Sequence, residues 1–190
     1  MSESTDQIYE RALTEMRKEQ WPAAIKLLKS NLAAARKNWR FSWNIGWCYF
    51  NLGKFVDAQK YMMRANRLAP ENPICKWGLG SVYLKRKHFE KAEAILTESL
   101  AIKDSYPTRI SLALACLSQG KAAEAEKIHL DGIRLKPRSS ERYESYGAFL
   151  SDVGREEEAR TIDKKAREHV ASIDEIRRLR SEPDPTHLSA

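Results

Sequence analysis

An alanine that follows a glycine-and-aromatic turn recurs along this chain at Ala24, Ala58, Ala92, Ala125 and Ala159, at spacings of 34, 34, 33 and 34 residues. The turn recurs with it as Gly53, Gly120 and Gly154, with Lys87 and Glu19 at the two equivalent places. A proline, Pro70 and Pro137, closes two of the periods. Self-similarity at this period means stacked supersecondary units, each unable to bury its apolar face alone. A chain of 190 residues would otherwise suggest one or two globular domains. The repeat overrides that expectation.

The residues around these anchors match a known pattern. Ile45-Gly46-x-x-Tyr49, Gly53-Lys54-Phe55, Ala58-x-x-x-Met62, Ala65 and Pro70 resemble one tetratricopeptide repeat, a helix–turn–helix unit. Leu79-Gly80-x-x-Tyr83, Phe89, Ala92 and Leu96 repeat it, and Tyr146-Gly147-x-x-Leu150, Gly154, Ala159 and Ala166 do so again. A looser copy holds Leu112-Ala113-x-x-Cys116, Gly120 and Ala125, while the first copy keeps Trp21, Ala24 and Leu28. The resemblance implies an all-α fold, a right-handed α-solenoid of five helix–turn–helix units over 5–38, 39–72, 73–105, 106–139 and 140–173. The first helices fall near 5–18, 40–52, 73–86, 107–119 and 140–153, and the second near 21–35, 55–68, 89–102, 122–135 and 156–169. Small residues (Gly46, Gly80, Ala113 and Gly147 against the recurrent alanines) let paired backbones approach. Ser172-Ile173-Asp174-Glu175 has the form of a capping box, which predicts a separate capping helix over 174–181. Residues 1–4 form a short N-terminal segment, and residues 182–190, with Pro183 and Pro185, read as a disordered tail.

Charge is unevenly spread. The formal +7 divides as +3, +3, +2 and +3 over the first four units and −2 over the fifth. A basic body ahead of an acidic end can steer an acidic partner, or simply keep the protein soluble. Met1–Gln20 is broken by Glu3, Asp6, Glu10, Arg11 and Glu15, so it has no signal-like apolar centre, and no stretch suits a bilayer. Cys48, Cys75 and Cys116 are odd in number and widely spaced, and read as small buried residues in a reducing compartment. A cytoplasmic protein without membrane attachment is expected.

The helix over 40–52 is apolar on two sides. Ile45, Gly46, Tyr49 and Leu52 form the stripe that packs against its own partner helix. Arg40, Trp43, Asn44, Trp47, Phe50 and Asn51 form a second stripe on a different face. In the resembled family this second face lines the concave groove. Carried round the repeat, it presents Tyr9, then Trp77 and Leu84, then Ile110 and Leu114, and turns acidic in the fifth unit at Glu141, Glu144 and Asp152. Three readings of the face stand side by side: an aromatic-floored groove for another protein's peptide segment, tryptophans stacked across repeats as stiffeners, and a surface that closes a homodimer or is filled by the chain's own tail. Some peptide-binding family members carry an asparagine where Asn44 stands. The equivalent places here hold Glu10, Gly78, Ser111 and Ser145, so no asparagine ladder exists.

The clamp by which some family members hold the carboxylates of chaperone tails needs Lys and Arg at set places, and no frame of this sequence supplies one. Lys85-Arg86-Lys87-His88 is a basic run at a helix end, where cations suit the dipole, and it is read that way rather than as a nucleic-acid contact. His88, His129, His169 and His187 have no ligand spacing to any cysteine, so no metal or other cofactor is expected. Gly78-Leu79-Gly80 lacks the third glycine and the strand of a dinucleotide loop. The sequence therefore points to a non-enzymatic scaffold or adaptor that binds an apolar segment with acidic flanks. Its alternatives are a cytoplasmic chaperone for secreted or assembling subunits, or a self-assembling subunit using the same face.

Overall fold

The computed structural model describes the backbone of residues 4–181, and their side chains except at positions 32, 35 and 169–181. Among the described residues there are eleven α-helices and no strand. In order they are α1 (Thr5–Arg17), α2 (Trp21–Ser30), α3 (Leu32–Lys37), α4 (Trp39–Asn51), α5 (Phe55–Leu68) and α6 (Pro73–Lys85). There follow α7 (Phe89–Ile102), α8 (Tyr106–Leu117), α9 (Ala122–Leu135), α10 (Ser140–Asp152) and α11 (Glu156–Ser181). The fold is all-α and built from helix–turn–helix pairs.

Local chemistry starts and stops these helices. Ser4 opens α1 with a capping box, its hydroxyl accepting from the Gln7 amide while the Gln7 side chain accepts from the Ser4 amide. The side chains of Asn38, Asn72 and Ser105 accept amide hydrogens at the starts of α4, α6 and α8, and a proline sits in the first turn of α6 and of α8. First helices end in a left-handed residue. In α4, the Gly53 amide donates to the Phe50 carbonyl and the Lys54 amide to the Tyr49 carbonyl, which is the Schellman arrangement. Equivalent bonds end α6, with Lys87 donating to Leu84 and His88 to Tyr83.

The left-handed residue is glycine three times, at φ 70° (Gly53), 76° (Gly120) and 80° (Gly154). It is Glu19 at 57° and Lys87 at 60° in the other two turns. A side chain costs energy in this conformation and glycine does not. Lys87→Gly should accordingly raise stability by about 1 kcal/mol. Thermal melting of the variant checks this, and an unchanged or lower midpoint would mean that the Lys87 side chain makes a compensating contribution.

Two helical segments differ from the sequence expectation. The segment read as one helix over 21–35 breaks at Asn31, whose side chain accepts from the Ala34 amide at 3.0 Å and donates to the Thr5 hydroxyl at 2.7 Å. An asparagine that caps a new turn competes with continuation of the old one. At the other end α11 runs unbroken from Glu156 to Ser181, so Ser172–Glu175 lies inside a helix instead of opening a separate one over 174–181. No glycine or proline interrupts that segment, and its residues favour helix. The tail at 182–190 lies outside the described residues.

The described residues divide into two compact units, with the boundary between residues 121 and 122. The division falls between α8 and α9, inside the segment read as the fourth repeat. In the first unit α1 packs on α2, α4 on α5 and α6 on α7, while α2 also meets α4, α5 meets α6 and α7 meets α8. Ala24, Ala58 and Ala92 are fully buried in it, with Leu28, Ile45, Met62 and Leu96. In the second unit α10 packs on both α9 and α11. There Ala125, Leu150 and Ala159 are buried, and the buried Arg142 guanidinium donates to the Gly132 carbonyl at 3.0 Å. Glu126 accepts from the Tyr146 hydroxyl and from Arg155, each at 2.7 Å.

Candidate functional site

α4 carries both of its apolar faces as distinct environments. Phe41, Ile45 and Cys48 are buried toward α1, α2 and α5. Trp43, Trp47 and Phe50 are half-buried on the other side and pack against the cluster of Ala58, Met62, Leu79 and Val82. Their rings form a continuous stack. Trp43 and Trp47 lie 5.4 Å apart at 8°, and Trp47 and Phe50 lie 5.4 Å apart at 7°. The spacings of four and three residues put consecutive rings one helical turn apart, where aromatic faces meet.

The neighbouring repeat adds Trp77 of α6. Its ring centroid is 5.5 Å from Trp47 and 6.4 Å from Trp43. The indole of Trp43 donates to the Ile74 carbonyl at 3.1 Å, and that of Trp77 donates to the Ser111 hydroxyl at 3.3 Å. A Cβ at Gly78 would stand 2.7 Å from Trp43 Nε1 and 2.9 Å from Met62 Sδ. Glycine at this place is therefore what seats the Trp43 indole between α4 and α6.

Two hollows flank the stack, both within the first unit. One, of about 320 Å³, lies between Trp43, Trp77, Ile74, the turn that carries Lys103 and Ser105, and Pro107 in the first turn of α8. The other, of about 280 Å³, lies between Phe50, Ser81, Leu84, Lys85, Ser111 and Leu114. Ile74 and Leu114 keep about half of their surface in water (49% each).

The residues read from the sequence as one face thus separate into groups. Trp43, Trp47, Phe50 and Trp77 meet directly, and Leu84 and Leu114 line the second hollow. Asn44 is buried, and its amide donates to the Tyr9 hydroxyl at 2.8 Å. Tyr9 is half-buried against Phe41, with ring centroids 5.0 Å apart, and burial raises the pKa of its phenol. This pair ties α1 to α4. Asn51 is exposed and donates to the Trp47 carbonyl at 2.8 Å, while exposed Arg40 lies 5.6 Å from the Trp39 ring. Ile110, half-buried on α8, lines neither hollow. Sequence reading missed Pro73, Pro107 and Lys103, although two of them were visible as prolines in the first turn of a helix, one and two repeats from Trp43.

The remaining titratable candidates sit in packed surroundings. Burial pushes the Cys48 and Cys75 thiols up to about 12, and all three cysteines are buried outside any disulfide. Burial also lowers His129 to about 4, and its ring packs 5.3 Å from Phe149. Among the described residues no group of three His, Cys, Asp or Glu side chains is placed to hold a metal ion, and no helix is long and apolar enough to cross a membrane.

Residues 9–73, which include α4, α5 and the start of α6, match the tetratricopeptide repeat family. Among solved structures, a crystal structure of MamA is 22% identical, with a TM-score of 0.71 over 92% of this chain and 99% of that one. A second MamA structure is 23% identical, with a TM-score of 0.71 over 97% of this chain and 98% of that one. A tetratricopeptide repeat protein from Parabacteroides merdae ATCC 43184 is 20% identical, with a TM-score of 0.77 over 86% of this chain and 64% of that one. No curated protein matches the sequence significantly. At these identities the structural likeness is one of fold.

Proposed function

We propose that this chain, whose residues 9–73 match the tetratricopeptide repeat family, serves as a non-catalytic scaffold that binds an apolar peptide segment of another protein along the α4–α6 face. The reading rests on one observation above all: four large aromatic rings lie half-buried in contact with one another, with a hollow on each side. Half-buried tryptophans offer large, rigid area at low entropic cost, which is why they are frequent anchors in interfaces. Exposed Ile74 and Leu114 extend the apolar strip beyond the rings. Lys103 beside the first hollow and Lys85 beside the second suit a segment whose flanks are acidic. A cytoplasmic setting fits three buried cysteines, none of them in a disulfide.

A second reading has an observation of its own. Trp43 and Trp77 stack across adjacent repeats, and the Trp43 indole is satisfied by the Ile74 carbonyl, as stiffening side chains would be. Trp47→Ala separates the two. If the face binds a partner, the variant keeps its helical content and loses about 2 kcal/mol of affinity, as a central aromatic anchor does. A lowered melting temperature with affinity unchanged would leave the rings as stiffeners alone. Both quantities need measuring on one preparation, with the partner identified by crosslinking and mass spectrometry.

A further inference from the structure

α5 buries one face and leaves another with no obvious use for the fold. Ala58, Met62 and Ala65 point into the core and are fully buried. On the opposite side Val56 is 70% exposed and Met63 is 48% exposed, seven residues or two turns apart and so about 10 Å from each other along the helix. Around them stand Lys60, Arg64 and Arg67 of α5 and Arg86 from the end of α6, enclosing a hollow of about 560 Å³.

The charge of this hollow is uncompensated. The only acidic residue of α5 is Asp57. Among the described residues Lys60, Arg64, Arg67 and Arg86 form no ion pair. Arg64 lies 5.5 Å from the Tyr61 ring, and Arg86 donates to the Gln59 side-chain carbonyl. Two other cations of the first unit are paired, Lys76 with Glu98 and Lys121 with Glu93. Like charges gathered around exposed apolar side chains cost the free protein solvation and self-repulsion, and an oppositely charged ligand relieves both terms.

We propose that this outer face of α5 is a second docking surface, and that its occupant is an acidic amphipathic helix of another protein. Val56 and Met63 form a floor with helical spacing, so a helix laid along α5 can set its own apolar residues against them. Methionine adapts to such partners because its thioether chain is unbranched and polarizable. The three arginines offer planar forks that match carboxylates in two-point contact. A phosphate backbone would use the cations and leave the floor idle, so the apolar pair favours a peptide over a nucleic acid. The surface shares no residue with the Trp43–Trp77 stack and does not depend on that stack being a binding site.

The test uses the full chain and a labelled synthetic helix with leucines seven residues apart and glutamates on both flanks. A copy with glutamine in place of glutamate and a single-stranded oligonucleotide serve as comparisons. Fluorescence anisotropy should show the glutamate helix binding about tenfold more tightly than the glutamine copy, with affinity falling as salt rises. Arg64→Glu with Arg67→Glu should remove about tenfold or more and Met63→Gln several-fold. If the paired α5 variant proves misfolded by circular dichroism, Lys60→Glu with Arg86→Glu carries the same expectation. The proposal is overturned if the glutamate helix does not bind the unaltered chain. It is overturned equally if the oligonucleotide binds more tightly than the helix and Met63→Gln is neutral, which would make the face a nucleic-acid surface. A loss confined to Trp47→Ala would place the helix on the aromatic face and would also overturn it.

Discussion

Gly80→Leu should cost the first unit about 3 kcal/mol of stability, near the upper end of what overpacking a tight contact produces. A Cβ at Gly80 would lie 2.5 Å from Leu96 Cγ, 2.7 Å from Leu96 Cδ2 and 3.2 Å from Ile95 Cγ2. Leu96 is fully buried, so its side chain cannot swing outward, and the clash falls on the separation of α6 and α7. Gly46 is a milder case. Its Cβ would meet Met62 Cγ at 3.0 Å and the Ala58 carbonyl oxygen at 3.3 Å, and a flexible methionine can yield some of that distance. The ordering Gly80 above Gly46 is therefore part of the expectation. Urea denaturation of both variants measures it, with the midpoint reporting stability where the slope is unchanged. Equal midpoints for Gly80→Leu and the unaltered chain would mean that α6 and α7 do not pack in this register.

Met62→Ala should destabilise by about 3 kcal/mol, as deletion of a fully buried long side chain does. Met62 has no exposed surface, and its sulfur fills the space left by Gly46 and Gly78. The cluster that contains it also supports Trp43, Trp47 and Phe50 from beneath. Loss of that support should change tryptophan emission as well as the melting temperature. The next residue is a built-in control, because Met63 is half exposed on the outer face of α5 and Met63→Ala should stay within about 0.5 kcal/mol. Comparable losses for the two substitutions would contradict the orientation of α5.

Several features were legible because their causes are local. Helix starts at Asn38, Asn72 and Ser105 depend on a side chain and an amide two or three residues away. The left-handed turn after each first helix is closed by hydrogen bonds spanning three to five residues, so Gly53, Lys87 and Gly120 could be aligned before any helix was placed. The recurrent alanines marked the tightest helix contacts for the same reason: a repeat copies its own packing. Composition alone, by contrast, could not say whether Asn31 would continue a helix or cap a new one, since its contact with Thr5 joins residues 26 positions apart.

The aromatic face divides along the same line. A spacing of three and four residues determined that Trp43, Trp47 and Phe50 share one side of α4. Whether they reach solvent, each other or the core depends on α6, which brings Trp77 against them and opens a seat for Trp43 at Gly78. Asn44 stands on the same stripe, yet its amide is taken by Tyr9 from another repeat, 35 positions away. The hollow beside Trp43 gathers residues of α4, α6, α8 and the turn before α8, and no period in the sequence links Lys103 to Trp43. By itself the sequence determined the helices, their turns and the face each residue occupies, because those follow from backbone bonds within a few residues. Only the tertiary structure decided which of those faces meet, because contact between repeats depends on how neighbouring helices approach in space.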